Sequence, residues 1–529
     1  MKTINDKFAS LYENCWNYLT SRRYKVSLLF TFVFSMLANA FMYFNLYPQH
    51  DSLTHVIGFV SNWEISLGRF LLPYWGKIQG EITIPWIVGI LSIVFISFIV
   101  YIVCDLLELN STWQIAIVSG ILSANLCITE LASVFTYTVA VYMFSTLLSC
   151  LGVYIWVKRE SVFRYPVAVI LFVLSIGLYQ AEIVFAITLL ALLAIKDLLG
   201  NKNTVKIICK YLKIGMALVC AAFIYYCLYK LVLSIYDIEV SNSYNSIFNI
   251  KNMSLEKLAI SIANCYKAFF DFFYGNGCFI STSVTRACNI LLTCMTLVSL
   301  CVHVIKNKNC LVNTLLMLFI LLLIPGLICM MDIFMTNSKL SFYILYSLYL
   351  YYILMLSVLN QCKKADDCHY DKIEKSIVII CFCLLLSKNI IFSNQIYSYQ
   401  KIMYDRSVSI ASRILEDIES DENYEMGETE VIFVGALRDN EHLKKTLKIK
   451  PGLGTLINNS GLNGGRVLSI TYNGTFVSFA YLLGSELNYI TNTDIISEYT
   501  SLEEVINMPA YPKNGYCKFI NGRMVIKLS

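Results

Sequence analysis

Three carboxylates and three cations sit where a largely apolar chain keeps charge only at a cost, and ionisable groups in or beside a bilayer are functional by default. Asp51 stands in Tyr47-Pro48-Gln49-His50-Asp51-Ser52, about four residues past the first long apolar run, at the level of a lipid head group. Asp and Ser also cap helices, so an interface anchor or an N-cap for the next segment is the competing reading. Glu130 and Glu182 fall on short turns between apolar runs, and Tyr179 and Gln180 accompany Glu182 in an otherwise apolar stretch. With Asp51 they put three acidic groups at one membrane level, either sharing a polar groove or serving as separate solvated turns. Arg69, in Gly68-Arg69-Phe70, and Lys77, eight residues on, are cations of the same early segment. Arginine grips phosphate through a bidentate fork, so a phosphate at the membrane surface is one partner and ordinary head-group contact the other. Lys339, at the end of a later apolar run, poses the same choice between phosphate and interface anchor.

Other chemistries find few residues. The 19 cysteines include no CxxC pair. Most, such as Cys104, Cys127, Cys209, Cys220, Cys294 and Cys381, lie in or beside apolar runs, where cysteine packs as a small hydrophobe. Cys381 and Cys383 have poor metal spacing, and a solvated loop accounts for Cys362, Asp366, Asp367, Cys368 and His369. No metal site or cofactor is assigned. There is no P-loop, GxSxG or HExxH, and no GxGxxG in a βαβ setting. Nucleotide hydrolysis and a Rossmann-like nucleotide-sugar domain are therefore not expected, and a transferase of this kind would draw its donor from the membrane. The net charge of +5 reflects lysines and arginines that flank apolar runs, not a nucleic-acid patch.

The elements that must hold these residues are membrane helices. Hydrophobic residues make up 57% of the 529 and charged ones 15%, against roughly 25% in soluble domains. Mean hydropathy is +0.62. Apolar runs of spanning length recur over residues 1–393 and predict about eleven transmembrane helices. Arg22, Arg23 and Lys25 precede the first, which places the N-terminus in the cytoplasm. No small-residue cleavage site follows that run, so it should stay as a span. Outer loops are expected over 48–85 and 236–282. Within the first, the mixed charge and aromatics of Trp63 to Trp75 suggest a helix lying in the interface.

Residues 166–195, interrupted by Tyr179, Gln180 and Glu182, would make about 45 Å of helix, too long for one crossing. Two short spans should therefore meet at an outer tip near Gln180. An amphipathic helix is expected from Leu255 to Phe273, and the last span from Ser376 to Ile391. Lys158, Arg159 and Arg164, then Lys196, Lys202, Lys206, Lys210 and Lys213, mark inner segments. Residues 394–529 should form a small extracytoplasmic α/β or α+β domain. Its expected parts are a polar helix from Ser407 to Tyr424, a buried strand from Glu430 to Gly435, partial alternation from Val467 to Tyr472, and a final hairpin turning on Asn521-Gly522.

The stretch from Asp51 to Trp75 resembles the bacterial serotype-converting type II O-antigen glucosyltransferase family. The pattern is an early span, then His50-Asp51-Ser52, then Trp63 and Gly68-Arg69-Phe70. A second match is Gly177-Leu178-Tyr179-Gln180-Ala181, and the ending from Met508-Pro509-Ala510-Tyr511-Pro512 to Lys527-Leu528 is similar too. In architecture the likeness spans nearly the whole chain. It implies a polytopic α-helical, GT-C-like fold in the bacterial inner membrane, with its active site on the outer face. It implies that a sugar moves from a polyprenyl phosphate, undecaprenyl-phosphate glucose in the family, to a surface polysaccharide or its lipid-linked precursor. A small flippase and a donor-lipid synthase would be its protein partners. Asp51 matches the family's catalytic base. Arg69 is carried over as a donor-phosphate group; on topology alone, Lys77 and Lys339 would join it there, and His50, Trp63, Glu130, Tyr179, Gln180 and Glu182 would meet the sugar or acceptor.

The chemistry agrees with that implication. An acceptor hydroxyl needs a carboxylate to take its proton. A phosphate leaving group needs positive charge, not an acid. A transporter or flippase of lipid-linked sugars would also have many spans, but its charges should lie near the midplane, within inverted repeats that this sequence lacks.

Overall fold

The computed structural model describes residues 16–17, 19–48, 51–56, 62–240, 254–275, 281–306, 310–334, 342–363, 370–435, 437 and 480–529. His50, Lys339, Asp366 to His369 and the stretch from Val467 to Tyr472 lie outside them. The chain packs as two compact units. The membrane-helix unit is Met1–Phe44, Phe59–Leu131 and Thr138–Asn394. The C-terminal unit is Gln395–Ser529 together with Asn45–Gly58 and Ala132–Tyr137, two segments that the sequence groups with the spans.

Among the described residues, eight helices are long and apolar enough to cross a bilayer. They are Arg22–Tyr43, Pro85–Leu106, Thr112–Val134, Thr136–Lys158, Thr204–Tyr236, Ser283–Lys306, Leu311–Ile328 and Lys372–Glu419. The other apolar runs of the sequence form shorter pieces. Arg164–Leu178 and Ile183–Leu199 meet at a 3-10 turn, Gln180–Glu182. The run before residue 363 breaks into two 3-10 turns, Phe342–Ile344 and Tyr346–Tyr349, followed by Leu350–Lys363. Small polar residues let helices approach closely in such a unit. Ser145 Oγ donates to Ser175 O and Ser175 Oγ to Ser145 O, both at 2.9 Å, which zips Val139–Lys158 to Arg164–Leu178. The amphipathic helix runs from Leu255 to Phe273, as its spacing predicts.

Two expected elements come out differently. The interfacial stretch is two short helices, Asn62–Ser66 and Leu72–Gln79. Between them Gly68 takes φ +89°, which no helix can continue through. In the opposite sense, the last span does not stop at Ile391 but runs on as Tyr370–Glu419, 50 residues that absorb most of the expected polar helix. No Gly or Pro occurs in that stretch, so nothing in the backbone stops it.

The C-terminal unit is built on a four-stranded sheet of order β2-β1-β4-β3: β1 Glu430–Val434, β2 Asn488–Tyr489, β3 Cys517–Ile520 and β4 Arg523–Lys527. β1 runs parallel to β2 and β4, while β3 and β4 form the antiparallel hairpin. Its turn, Asn521 (φ 49°) and Gly522 (φ 82°), needs two left-handed residues, which Asn-Gly supplies. Side chains alternate across the sheet. Val431, Met524 and Ile526 pack with Ile410, Ile414 and Leu415, while Ile432, Val434 and Val525 pack with Tyr499, Val505 and Met508.

Candidate functional site

Within the membrane-helix unit, charge collects at one set of helix ends. Arg23, at the start of Arg22–Tyr43, pairs with Asp105, at the end of Pro85–Leu106, and Lys158 meets Asp105 at 2.8 Å. Lys196 pairs with Glu108 at 2.8 Å, and Asp197 with Lys202 at 2.5 Å and Lys210 at 2.7 Å. Glu130, Tyr179, Gln180 and Glu182 lie toward the opposite helix ends of this unit.

There the segment after Asn62–Ser66 folds into a turn whose carbonyls are taken one by one. Tyr229 Oη donates to Ser66 O at 2.7 Å, Gln180 Nε2 to Leu67 O at 2.9 Å, and Tyr225 Oη to Gly68 O at 2.9 Å. Gln180 Nε2 also donates to Tyr225 Oη at 3.0 Å. A Cβ on Gly68 would lie 2.4 Å from Tyr225 Oη and 2.6 Å from Gln180 Nε2, so any other residue would have to push both side-chain ends aside. Leu71 N donates to Gly177 O at 3.0 Å and ties the segment to the end of Arg164–Leu178.

That turn delivers Arg69. Its guanidinium carbon lies 4.9 Å from the Tyr179 ring centroid, a cation–π distance. Tyr179 stacks on Tyr142 at 3.6 Å and 2°, and Arg69 Nη1 is 3.4 Å from Tyr142 Oη. A half-buried guanidinium laid on an aromatic platform keeps its fork pointing one way, which suits an anion with several oxygens.

Glu182 and Glu130, two of the acids expected at turns, lie in the same unit. Glu182, 2% exposed, accepts a hydrogen bond from Thr146 Oγ1 at 2.6 Å. Glu130, 1% exposed, accepts one from Tyr343 N at 2.8 Å and so holds the Phe342–Ile344 turn, while Leu126 N donates to Tyr349 Oη at 2.9 Å. Cys127 lies within electrostatic reach of both carboxylates. Neither acid is a solvated turn.

The structure thus brings Arg69, Tyr179 and Gln180 into one contact network and buries Glu182 and Glu130 among polar groups. It does not bring in Lys77 or Trp63. Lys77 is exposed on Leu72–Gln79, its Nζ 6.0 Å from the Tyr74 ring centroid, and Trp63 is 52% exposed. His50 and Lys339 fall outside the described residues. Asp51 opens a short helix, Asp51–Thr54, in the C-terminal unit. Sequence reasoning missed Glu64, buried five residues before Arg69, along with Tyr142, Thr146, Tyr225 and Tyr229. The i, i+4 spacing of Tyr225 and Tyr229 was the available signal, but in a chain with 36 tyrosines it does not stand out.

The family model described as glucosyl transferase GtrII matches residues 40–359, a stretch that holds the Arg69 turn, Glu130, Glu182 and the tyrosines around them. No curated protein and no solved structure matches the chain. With more than half of its length matched and a set of helices apolar enough to cross a bilayer, the chain belongs to the glucosyl transferase GtrII family and is a membrane glycosyltransferase.

Proposed function

We propose that this glycosyltransferase moves glucose from a polyprenyl-phosphate donor to the O-antigen or another surface polysaccharide, or to its lipid-linked precursor, with inversion at the sugar carbon. The fold is then GT-C-like, with the charged helix ends in the cytoplasm and the Arg69 end and residues 394–529 outside. The observation that carries the reading is the Arg69 turn, a guanidinium stacked on Tyr179 and held by three side-chain clamps in a membrane unit of this family. Such a group supplies the positive charge that a departing phosphate needs.

In this scheme Asp51 takes the proton of the acceptor hydroxyl as its oxygen attacks the anomeric carbon. The bond from that carbon to the phosphate oxygen breaks, and the polyprenyl phosphate leaves with the electron pair. Attack and departure lie on opposite faces of the sugar, which accounts for inversion. Arg69 steadies the phosphate, and Glu182, Glu130 and Gln180 hold the pocket that the sugar enters. The test is mass spectrometry of surface glycans from cells carrying no copy of the gene, the wild type, or Asp51→Asn. A hexose increment with wild type alone is expected, since losing a general base costs roughly 10²–10⁴-fold. An undiminished increment with Asp51→Asn at equal protein level would remove Asp51 from catalysis.

A further inference from the structure

A four-residue helix such as Asp51–Thr54 has no stability of its own, so its neighbours must fix it. Those neighbours all belong to the C-terminal unit. Ser52 Oγ donates to Val134 O at 2.7 Å and accepts from Thr136 N at 3.1 Å, so one buried hydroxyl joins this strap to the 132–137 segment. Leu53, 3% exposed, is part of the core formed by Ile410, Ile414, Met524 and Ile526. His55 lies flat on Tyr137, with centroids 4.0 Å apart and planes 5° apart. Before Asp51, the amide of Gln400, on Tyr370–Glu419 and 2% exposed, donates to Tyr47 O and to Ser133 O, each at 2.8 Å.

We infer that Gln400 and Ser52 are positioning residues for Asp51, so that the C-terminal unit sets where the acidic residue stands. This rests on the reading of Asp51 as the proton acceptor. Gln400 is the stronger argument. A buried amide placing both of its hydrogens on two carbonyls from different chain segments fixes the entry to the strap and its support together. Ser52, the residue next to Asp51, does the same from the other side. A base displaced by about 1 Å can cost on the order of 10²-fold in rate.

The test uses the full-length protein and labelled glucose transfer from polyprenyl-phosphate glucose. The variants are Gln400→Met, which keeps the length but removes the amide, Ser52→Ala, Ser52→Thr, Asp51→Asn, and Gln400→Met combined with Asp51→Asn. A kcat lower by about 10- to 100-fold in Gln400→Met and Ser52→Ala is expected. Donor KM should stay within about twofold, and Ser52→Thr, which restores the hydroxyl, should recover most of the rate. In the Asp51→Asn background, Gln400→Met should cost nothing further, because positioning matters only while the base is present. Near-wild-type kcat in both Gln400→Met and Ser52→Ala, with Asp51→Asn inactive, overturns the inference and leaves the reading of Asp51 intact. Additive losses in the double variant, or poor membrane levels of Ser52→Ala without a kcat change in what remains, overturn it as well. High activity of Asp51→Asn itself overturns the underlying reading.

Discussion

The two ends of the membrane-helix unit hold their charges in different ways. At one end cation meets carboxylate directly, and water reaches the cations of Lys158 and Lys202, whose side chains are 40% and 62% exposed, while Asp105 and Asp197 are largely buried. At the other end Glu182 is buried with the Thr146 hydroxyl as its donor, and Arg69 lies on a tyrosine face. A cation that water reaches contributes roughly 0–1 kcal/mol to its pair, and under the proposed topology these cations mark the cytoplasmic face. A buried carboxylate keeps a desolvation cost that a hydroxyl partner offsets only in part, and a chain retains it where the charge has work to do. Under the proposed function, the difference separates an orienting end from a reacting end.

The largest expected effect concerns topology. Single cysteines at Glu160 and Glu498, in a background free of the 19 native ones, should label oppositely in intact cells with an impermeant maleimide. The Glu498→Cys site should react and the Glu160→Cys site should not; the reverse would put the charged end outside. In a background that keeps Cys517, that thiol should stay silent. Burial and the nearby Asp417 push it up to about 12, and the thiolate is the reacting form.

Next in size is Arg69. Arg69→Ala should lower transfer by about 10²-fold, the usual cost of removing one charge-stabilising donor, and Arg69→Lys by less because charge survives without the fork. Initial rates in membranes with matched protein levels decide it, and full activity in both variants would take Arg69 out of the site. Gly68→Ala should follow. Its left-handed backbone costs a β-carbon about 1–2 kcal/mol, and the new atom would push on Tyr225 and Gln180, so transfer should drop roughly tenfold. The smallest effect belongs to the charged end. Lys158→Met should change stability by no more than about 1 kcal/mol and leave turnover unaltered, as thermal unfolding and the same assay would show.

How much of this was legible in the sequence follows from the range of each signal. Local chemistry read well. Asn521-Gly522 specified its hairpin, Leu255 to Phe273 its helix, and Gln180 the break between two short helices, because each is decided within a few residues. Long-range packing did not. Nothing in Ser66-Leu67-Gly68 announces that Tyr229, Gln180 and Tyr225 will take its carbonyls, and nothing near Asp51 announces Gln400. The passage of Tyr370–Glu419 through an apolar-to-polar change was missed because composition shifts there while helix-forming capacity does not.

The donor decides the account most directly. Purified protein in proteoliposomes, given the glycan acceptor, would be offered labelled polyprenyl-phosphate glucose or labelled nucleotide-linked glucose. Transfer from the polyprenyl phosphate alone is the predicted result, since the Arg69 end offers a stacked guanidinium and the sequence holds no nucleotide-binding motif. Transfer from the nucleotide sugar, with none from the lipid, would contradict it.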